Sequence, residues 1–147
     1  AAGVPCLISQ YRYSMFDRTV EEKSLPLAAE QGSGFIAFSP LAQGLLTKKY
    51  LHGIPEHSRA ARSTGFLKVD QVTEDKVGKA RRLDEIAARR GQTLAEMALA
   101  WVLKDERMTS VIVGTSSVKQ LADNLHALDN LNFTNEELAE IEGILRL

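Results

Sequence analysis

The chain has 147 residues, 44% of them hydrophobic and 25% charged, with a net charge of -1. That length suits one ordinary domain and that composition a globular one. A charge so near zero gives no electrostatic case for nucleic acid or an acidic membrane surface, and no apolar run approaches the roughly 18 residues that span a bilayer. The histidines His52, His57 and His126 show no metal-ligand spacing. Cys6 is the single cysteine and sits in an apolar run, which predicts a buried thiol in a reducing compartment. No signal peptide opens the chain, so a cytoplasmic protein is expected. The opening "AAGVP" places the stop signals Gly3 and Pro5 with nothing before them to stop, as in a sequence that begins inside a larger fold.

In chain order, "PCLISQ" (5–10) predicts a short buried strand. Residues 18–32 are helical in composition, with Pro26 suited to a first turn and Gly32 to the stop. "GFIAFSP" (34–40) predicts a second buried strand ended by Ser39-Pro40. Residues 42–72 have little periodicity and contain Gly44, Gly53, Pro55 and Gly65, which predicts a long loop of the kind that is functional or mobile. A charged helix follows over 74–90, with Gly91 after it. Thr93 and Glu96 then have capping-box spacing before a nearly all-apolar helix. "TSVIVG" predicts a third buried strand, Ser117–Leu128 a helix, and Thr134 with Glu137 a second capping box on a last helix with Leu138, Ile141 and Leu145 on one face.

The three strands are continuous apolar runs without polar alternation. That predicts burial on both faces and a parallel sheet with helical crossovers. Three parallel strands leave two bare edges. The chain is therefore either a small open α/β domain or roughly three-eighths of an eight-strand barrel, which takes about 250 residues.

Three stretches carry candidate chemistry. In "VIVGTSSVKQLADNL", Ser117 and Gln120 predict a helix that starts at Ser116 or Ser117, so free N–H groups and a positive dipole end follow a strand. Gly114 lets backbone approach a ligand, Thr115 and Ser116 add hydroxyls, and Lys119 adds a charge. Val118, Leu121, Leu125 and Leu128 form the stripe expected to be buried, with Gln120 and Asn124 beside each other off it. Together these make a phosphate cradle, although the same residues also make a plain turn. In "FSPLAQGLLTKKY", Phe38 and Ser39 fall at the C-terminal end of the second strand, the end where α/β sheets bind ligands. Phe38 suits stacking on a flat ring, or a core position. Lys48, Lys49, Arg59 and Arg62 cluster near the following loop and suit a polyphosphate, or a solvated surface. Gln10 ends the first strand, where its amide can pair with another amide.

These stretches lie at the same end of successive strands, and here a resemblance emerges. "PCLISQYRYSMFDR", "GFIAFSPLAQGLLTKKYLHGIPEHSR" and "VIVGTSSVKQLADNL" resemble the C-terminal part of the aldo-keto reductases, in that family's order and spacing and over nearly the whole chain. The similarity is greatest to the branch that holds the bacterial glyceraldehyde-3-phosphate reductases and the β-subunits of voltage-gated potassium channels. The resemblance implies a (β/α)8 TIM barrel of which this chain supplies strands six to eight and the C-terminal helix, as part of a single domain. It implies NADPH/NADP+ as cofactor. Gln10 matches the residue that bonds the nicotinamide carboxamide, and Phe38 the one that stacks on the ring. Ser39, Pro40, Leu41, Ala42, Gln43 and Gly44 match the segment that wraps the pyrophosphate. Lys49 and Arg59 match basic positions of the covering loop. Gly114, Ser116, Gln120, Asp123 and Asn124, with Thr115 and Lys119 beside them, match the site of the adenosine 2′-phosphate and adenine.

The family's catalytic Asp, Tyr, Lys and His come from earlier strands, and none of those motifs is in this sequence. Tyr50 beside Lys48 and Lys49 matches the cofactor loop instead, and Tyr11 and Tyr13 lack a lysine partner. The resemblance thus implies reduction of aldehydes and ketones by the intact protein, with no turnover by this chain alone. The partners expected are a small carbonyl substrate and either a second copy or a complementing N-terminal segment. Two other readings stay open: a non-catalytic NADP(H)-sensing or partner-binding module, and a small doubly wound domain that folds alone.

Overall fold

The computed structural model describes residues 3–61 and 66–147. The expectations that fall on Ala1, Ala2, Arg62 and Gly65 lie outside them. Three parallel strands, β1 (Ile8–Arg12), β2 (Gly34–Phe38) and β3 (Ser110–Ile112), form one sheet in the order β1-β2-β3. The register pairs Arg12 with Phe38 and Phe38 with Ile112, so the three C-terminal strand ends lie side by side. The α/β class with a parallel sheet is as the sequence predicts.

Helix α1 (Ser24–Glu30) connects β1 to β2. It carries Pro26 in its first turn and ends at Gly32, whose φ of 66° lets Ser33 N–H bond back to Ala28 O. It begins near Pro26, as the sequence suggests, and the residues before Ser24 fold into turns in which the Arg18 guanidinium grips Glu21. The long segment after β2 contains three short 3-10 turns, at Ala42–Gly44, Lys48–Tyr50 and Val69–Gln71. Helices α2 (Glu74–Arg89) and α3 (Leu94–Leu103) then lead to β3. Of the three capping-box spacings, Thr93 with Glu96 and Thr134 with Glu137 form complete boxes, while Ser117 with Gln120 forms only the cap half. Helix α4 (Val118–Leu125) continues into a 3-10 turn at His126–Asp129, and α5 (Asn135–Leu145) closes the chain.

The core lies between one sheet face and the helices. Phe35 and Ala37 point into it from β2 and are fully buried. Helix α3 is apolar all round because it is buried nearly all round, with Leu94, Met97, Ala98, Trp101 and Val102 in the core. Trp101 packs on Tyr13 and lies between two cations, Arg18 at 5.3 Å and Lys104 at 4.0 Å from its rings. Helices α2 and α5 pack together, joined by Arg90, which reaches Glu137 at 2.6 Å and the carbonyl of Asn132 and lies 3.7 Å over Phe133.

Three expectations of burial do not hold. The strands are not covered on both faces: β1 is exposed along most of its length, as are Ser110 and Ile112 of β3. The predicted stripe on α4 is exposed, with Val118 at 86%, Leu121 at 45%, Leu125 at 55% and Leu128 at 55%. Among the described residues helices cover one side of the sheet only, and nothing lies across the outer faces of β1 and α4. Cys6 is exposed for the same reason, since it precedes the uncovered edge strand.

Candidate functional site

Beyond the C-terminal ends of β2 and β3 lies a cleft of about 900 Å³. Two segments build it. The first follows β2. Phe38, the last residue of that strand, is half-buried at the cleft floor. The chain then passes through Ser39 (φ 54°), Ala42 (φ 48°), Gln43 (φ 61°) and Gly44 (φ 99°). Among the described residues, no other non-glycine residue has positive φ. Such conformations cost free energy and persist where the surroundings hold them, which is characteristic of ligand-binding loops. Here Gln43 Nε2 donates to Ser39 Oγ at 2.9 Å, and Gly44 lies against the Tyr50 ring, where a Cβ would meet Cε2 at 3.4 Å.

The second segment is the β3–α4 turn. Ser117 caps α4 by accepting from Gln120 N–H at 3.2 Å, as the spacing predicts. The reciprocal half of the box is displaced by one residue: Gln120 Oε1 accepts from the backbone N–H and the hydroxyl of Ser116, at 2.9 and 3.0 Å. Ser116, just before α4, and Gln120 in its first turn line the cleft.

Arg59 joins the two segments. Its Nη1 is 3.5 Å from Gln43 Oε1, while its Nη2 would lie 3.9 Å from a Cβ on Gly114. One guanidinium thus stands between the strained turn and the helix N-terminus.

Most expected site residues meet here. Phe38, Ser39, Pro40, Leu41, Gln43, Gly44, Lys49, Arg59, Gly114, Thr115, Ser116, Gln120, Asp123 and Asn124 all line the cleft. Ala42 does not; it packs against the core while its backbone shapes the turn. Lys119 is also outside the lining, because it pairs with Asp123 at 2.7 Å on the exposed helix surface. Gln10 lies mid-strand and not at the end of β1, since pairing with β2 continues to Arg12. Arg12, not Gln10, stands beside Phe38, 5.8 Å from its ring. Lys48 turns away to Asp84 of α2 at 3.4 Å, which leaves Lys49 and Arg59 as the cationic side chains of the expected cluster that reach the cleft among the described residues. Tyr50 and Tyr13 are buried in the cores, and Tyr13 donates to Glu21.

The cleft also takes in Thr47, His57, Thr93, Ala95, Ile112 and Val113. The N-terminus of α3 enters through Thr93 and Ala95, which no local motif in the sequence announces. His57 and Arg59 face the cleft, while Ser58 and Ala60 between and after them are buried, an alternation that the folded loop sets.

The family model described as the Aldo/keto reductase family matches residues 1–146. The chain belongs to the aldo/keto reductase family. It is 48% identical over 143 residues to the L-glyceraldehyde 3-phosphate reductase of Escherichia coli O157:H7 and 46% identical over 143 residues to that of Escherichia coli strain K12. Each match takes in 95% of this chain and 41% of the relative. The chain thus spans about two-fifths of the length of the curated relatives it matches. This agrees with the resemblance read from the sequence, including the bacterial branch.

The cleft brings together the Phe38 ring, the backbone turn at Ser39–Gly44, the basic side chains of Lys49 and Arg59, and the hydroxyls of Thr115 and Ser116 ahead of α4. An extended ligand with anionic groups along its length fits that sequence of surfaces.

Proposed function

We propose that this chain forms the NADPH-binding portion of a reductase that converts aldehydes or ketones to alcohols. The observation that carries the reading is Arg59 standing between the strained Ser39–Gly44 turn and the Gly114–Ser116 turn, with the α4 N-terminus beside it. Phe38 would lie against the nicotinamide ring, the Ser39–Gly44 turn along the pyrophosphate, and Ser116 with the α4 N-terminus against the 2′-phosphate. Gln120 and Asn124 would face the adenine. When bound, the cofactor supplies hydride. The chain's own residues bind and orient it, and among the described residues no tyrosine lines the cleft. Gln10 keeps a role only at the nicotinamide end, on the same open sheet face as Phe38.

The uncovered faces of β1 and α4 support a second part of the proposal. Further βα units of a (β/α)8 barrel, from a complementing segment, would pair with the free strand edges and bury the α4 stripe. A carbonyl substrate and the acid that protonates it belong to those units. A cytoplasmic setting fits a reductase of this kind.

Titration with NADP+ by isothermal calorimetry tests the binding role. Saturable binding is expected, weakened roughly ten-fold in Arg59→Ala, the worth of one charge-assisted hydrogen bond. Equal affinity in the variant, or no binding by the parent chain, would overturn it. A steady-state assay with NADPH and methylglyoxal should show no turnover by the chain alone; clear activity would mean that the tetrad is not required.

A further inference from the structure

A second cavity, of about 240 Å³, shares no lining residue with the cleft. Three segments distant in sequence build it. Phe16 and Arg18 come from the loop after β1, Lys76 and Lys79 from the first turns of α2, and Leu145 and Arg146 from the end of α5. Phe16 and Leu145 pack against the main core, so they give the cavity an apolar wall that is held in place. The other four are cations. Lys76 and Lys79 are three residues apart on one face of α2, and both are half-buried.

The carboxylates around them do not balance that charge. Asp75 pairs with Lys79 at 3.1 Å. Glu142 is shared between Arg18 and Arg146. Glu21 completes the hold on Arg18 and also accepts from Tyr13. Lys76 Nζ donates to a carbonyl, that of Gln71 at 3.4 Å, and no carboxylate pairs with it among the described residues. One half-buried ammonium is thus left without a counter-charge, beside three other cations and an apolar wall. Like charges drawn together repel, and an anion that enters relieves the repulsion.

We propose that this cavity is a second ligand site, for a small organic carboxylate whose charged end meets Lys76 and whose carbon body lies against Phe16 and Leu145. One uncompensated positive charge matches the single negative charge of a carboxylate. The volume is below the roughly 300 Å³ at which drug-sized pockets begin, so the carbon body is a single ring or a short chain. The inference stands apart from the nucleotide reading, since it concerns different residues.

Benzoate is the probe, with benzyl alcohol as an uncharged counterpart of nearly the same shape, each followed through the amide chemical shifts of nitrogen-labelled protein. Benzoate should shift the amides of Phe16, Lys76 and Leu145 saturably, with a dissociation constant on the order of 1 mM. Lys76→Gln should weaken it roughly three- to ten-fold, the range of a partly exposed ionic contact, and Lys76→Arg should restore it. Added salt should weaken it as well. Benzyl alcohol binding as tightly as benzoate, or benzoate binding Lys76→Gln as tightly as the parent, would overturn the anion site. Inorganic phosphate binding more tightly than benzoate would overturn the role of the apolar wall. No saturable shift, or shifts confined to the Ser39–Gly44 and Gly114–Ser116 turns, would overturn the cavity as a site.

Discussion

Gly44 and Gly78 are both glycines among larger neighbours, yet their surroundings give them opposite roles. Gly44 sits at φ 99° in the binding turn with the Tyr50 ring 3.4 Å from where a Cβ would stand. Gly44→Ala should cost about 1–2 kcal/mol, the penalty of forcing a side chain into left-handed backbone, and should lower both Tm and NADP+ affinity. Gly78 lies inside α2 with nothing within 4 Å of an added Cβ. Gly78→Ala should stabilise by about 0.5–1 kcal/mol through helix propensity and leave binding unchanged. Urea unfolding of both variants checks the signs. At this scale much of the site was legible: Phe38, Ser39, Gly114 and Ser116 stand where strand ends and a cap motif put them. Lys48 was not, because nothing local tells which of two adjacent lysines faces Asp84.

Between elements, two arginines do the joining. Arg90 at the end of α2 has a side chain only 2% exposed and binds Glu137, the carbonyl of Asn132 and the Phe133 ring around the start of α5. Arg90→Ala leaves Glu137 facing a void and should cost about 3 kcal/mol, as removing one member of a buried pair does; chemical denaturation measures it. Arg90→Lys should recover only part, since one ammonium cannot reproduce the fork. Arg18 ties the loop after β1 to Glu142 of α5. That hydrogen bond holds the Glu142 carboxyl below the usual carboxylate range, and Arg107 does the same for Asp105. Near pH 4 the unfolded chain therefore binds more protons than the folded one. The stability from these pairs is present above the ordinary carboxylate value and is lost as pH falls through the lowered ones. Melting temperature should drop across that acid range, and Glu142→Gln should make the drop shallower. The capping boxes at Thr93 and Thr134 were legible because they are local. The arginine joints span 47 and 124 residues of sequence, and no local pattern marks them.

For the molecule as a whole, the feature of consequence is where apolar surface remains open. Val118, Leu121, Leu125 and Leu128 make an exposed stripe on α4, and Leu7, Ile8 and Tyr11 are exposed on or beside β1 at the opposite sheet edge. Contiguous apolar faces beside free strand edges promote association. Concentration-dependent self-association of the isolated chain is expected in sedimentation velocity, weakened by Leu121→Glu with Leu125→Glu. The same double change should keep the fold at a cost of about 1–2 kcal/mol, because both side chains are about half exposed within the chain. A monomer at all concentrations would mean that the stripe is not an interface.

The sequence by itself determined the parallel α/β class, the order of strands and helices, both capping boxes, and most of the cleft. Strand ends, caps and apolar periodicity are set by neighbours a few residues apart, and that information is local. The tertiary structure decided the rest: that Arg12 and not Gln10 ends β1 beside Phe38, that His57 and Thr93 face the cleft, and that the predicted buried stripe of α4 lies open. An amphipathic pattern specifies that a face wants a partner. Whether one is present depends on which elements pack across it, and among the described residues none reaches the outer faces of β1 and α4.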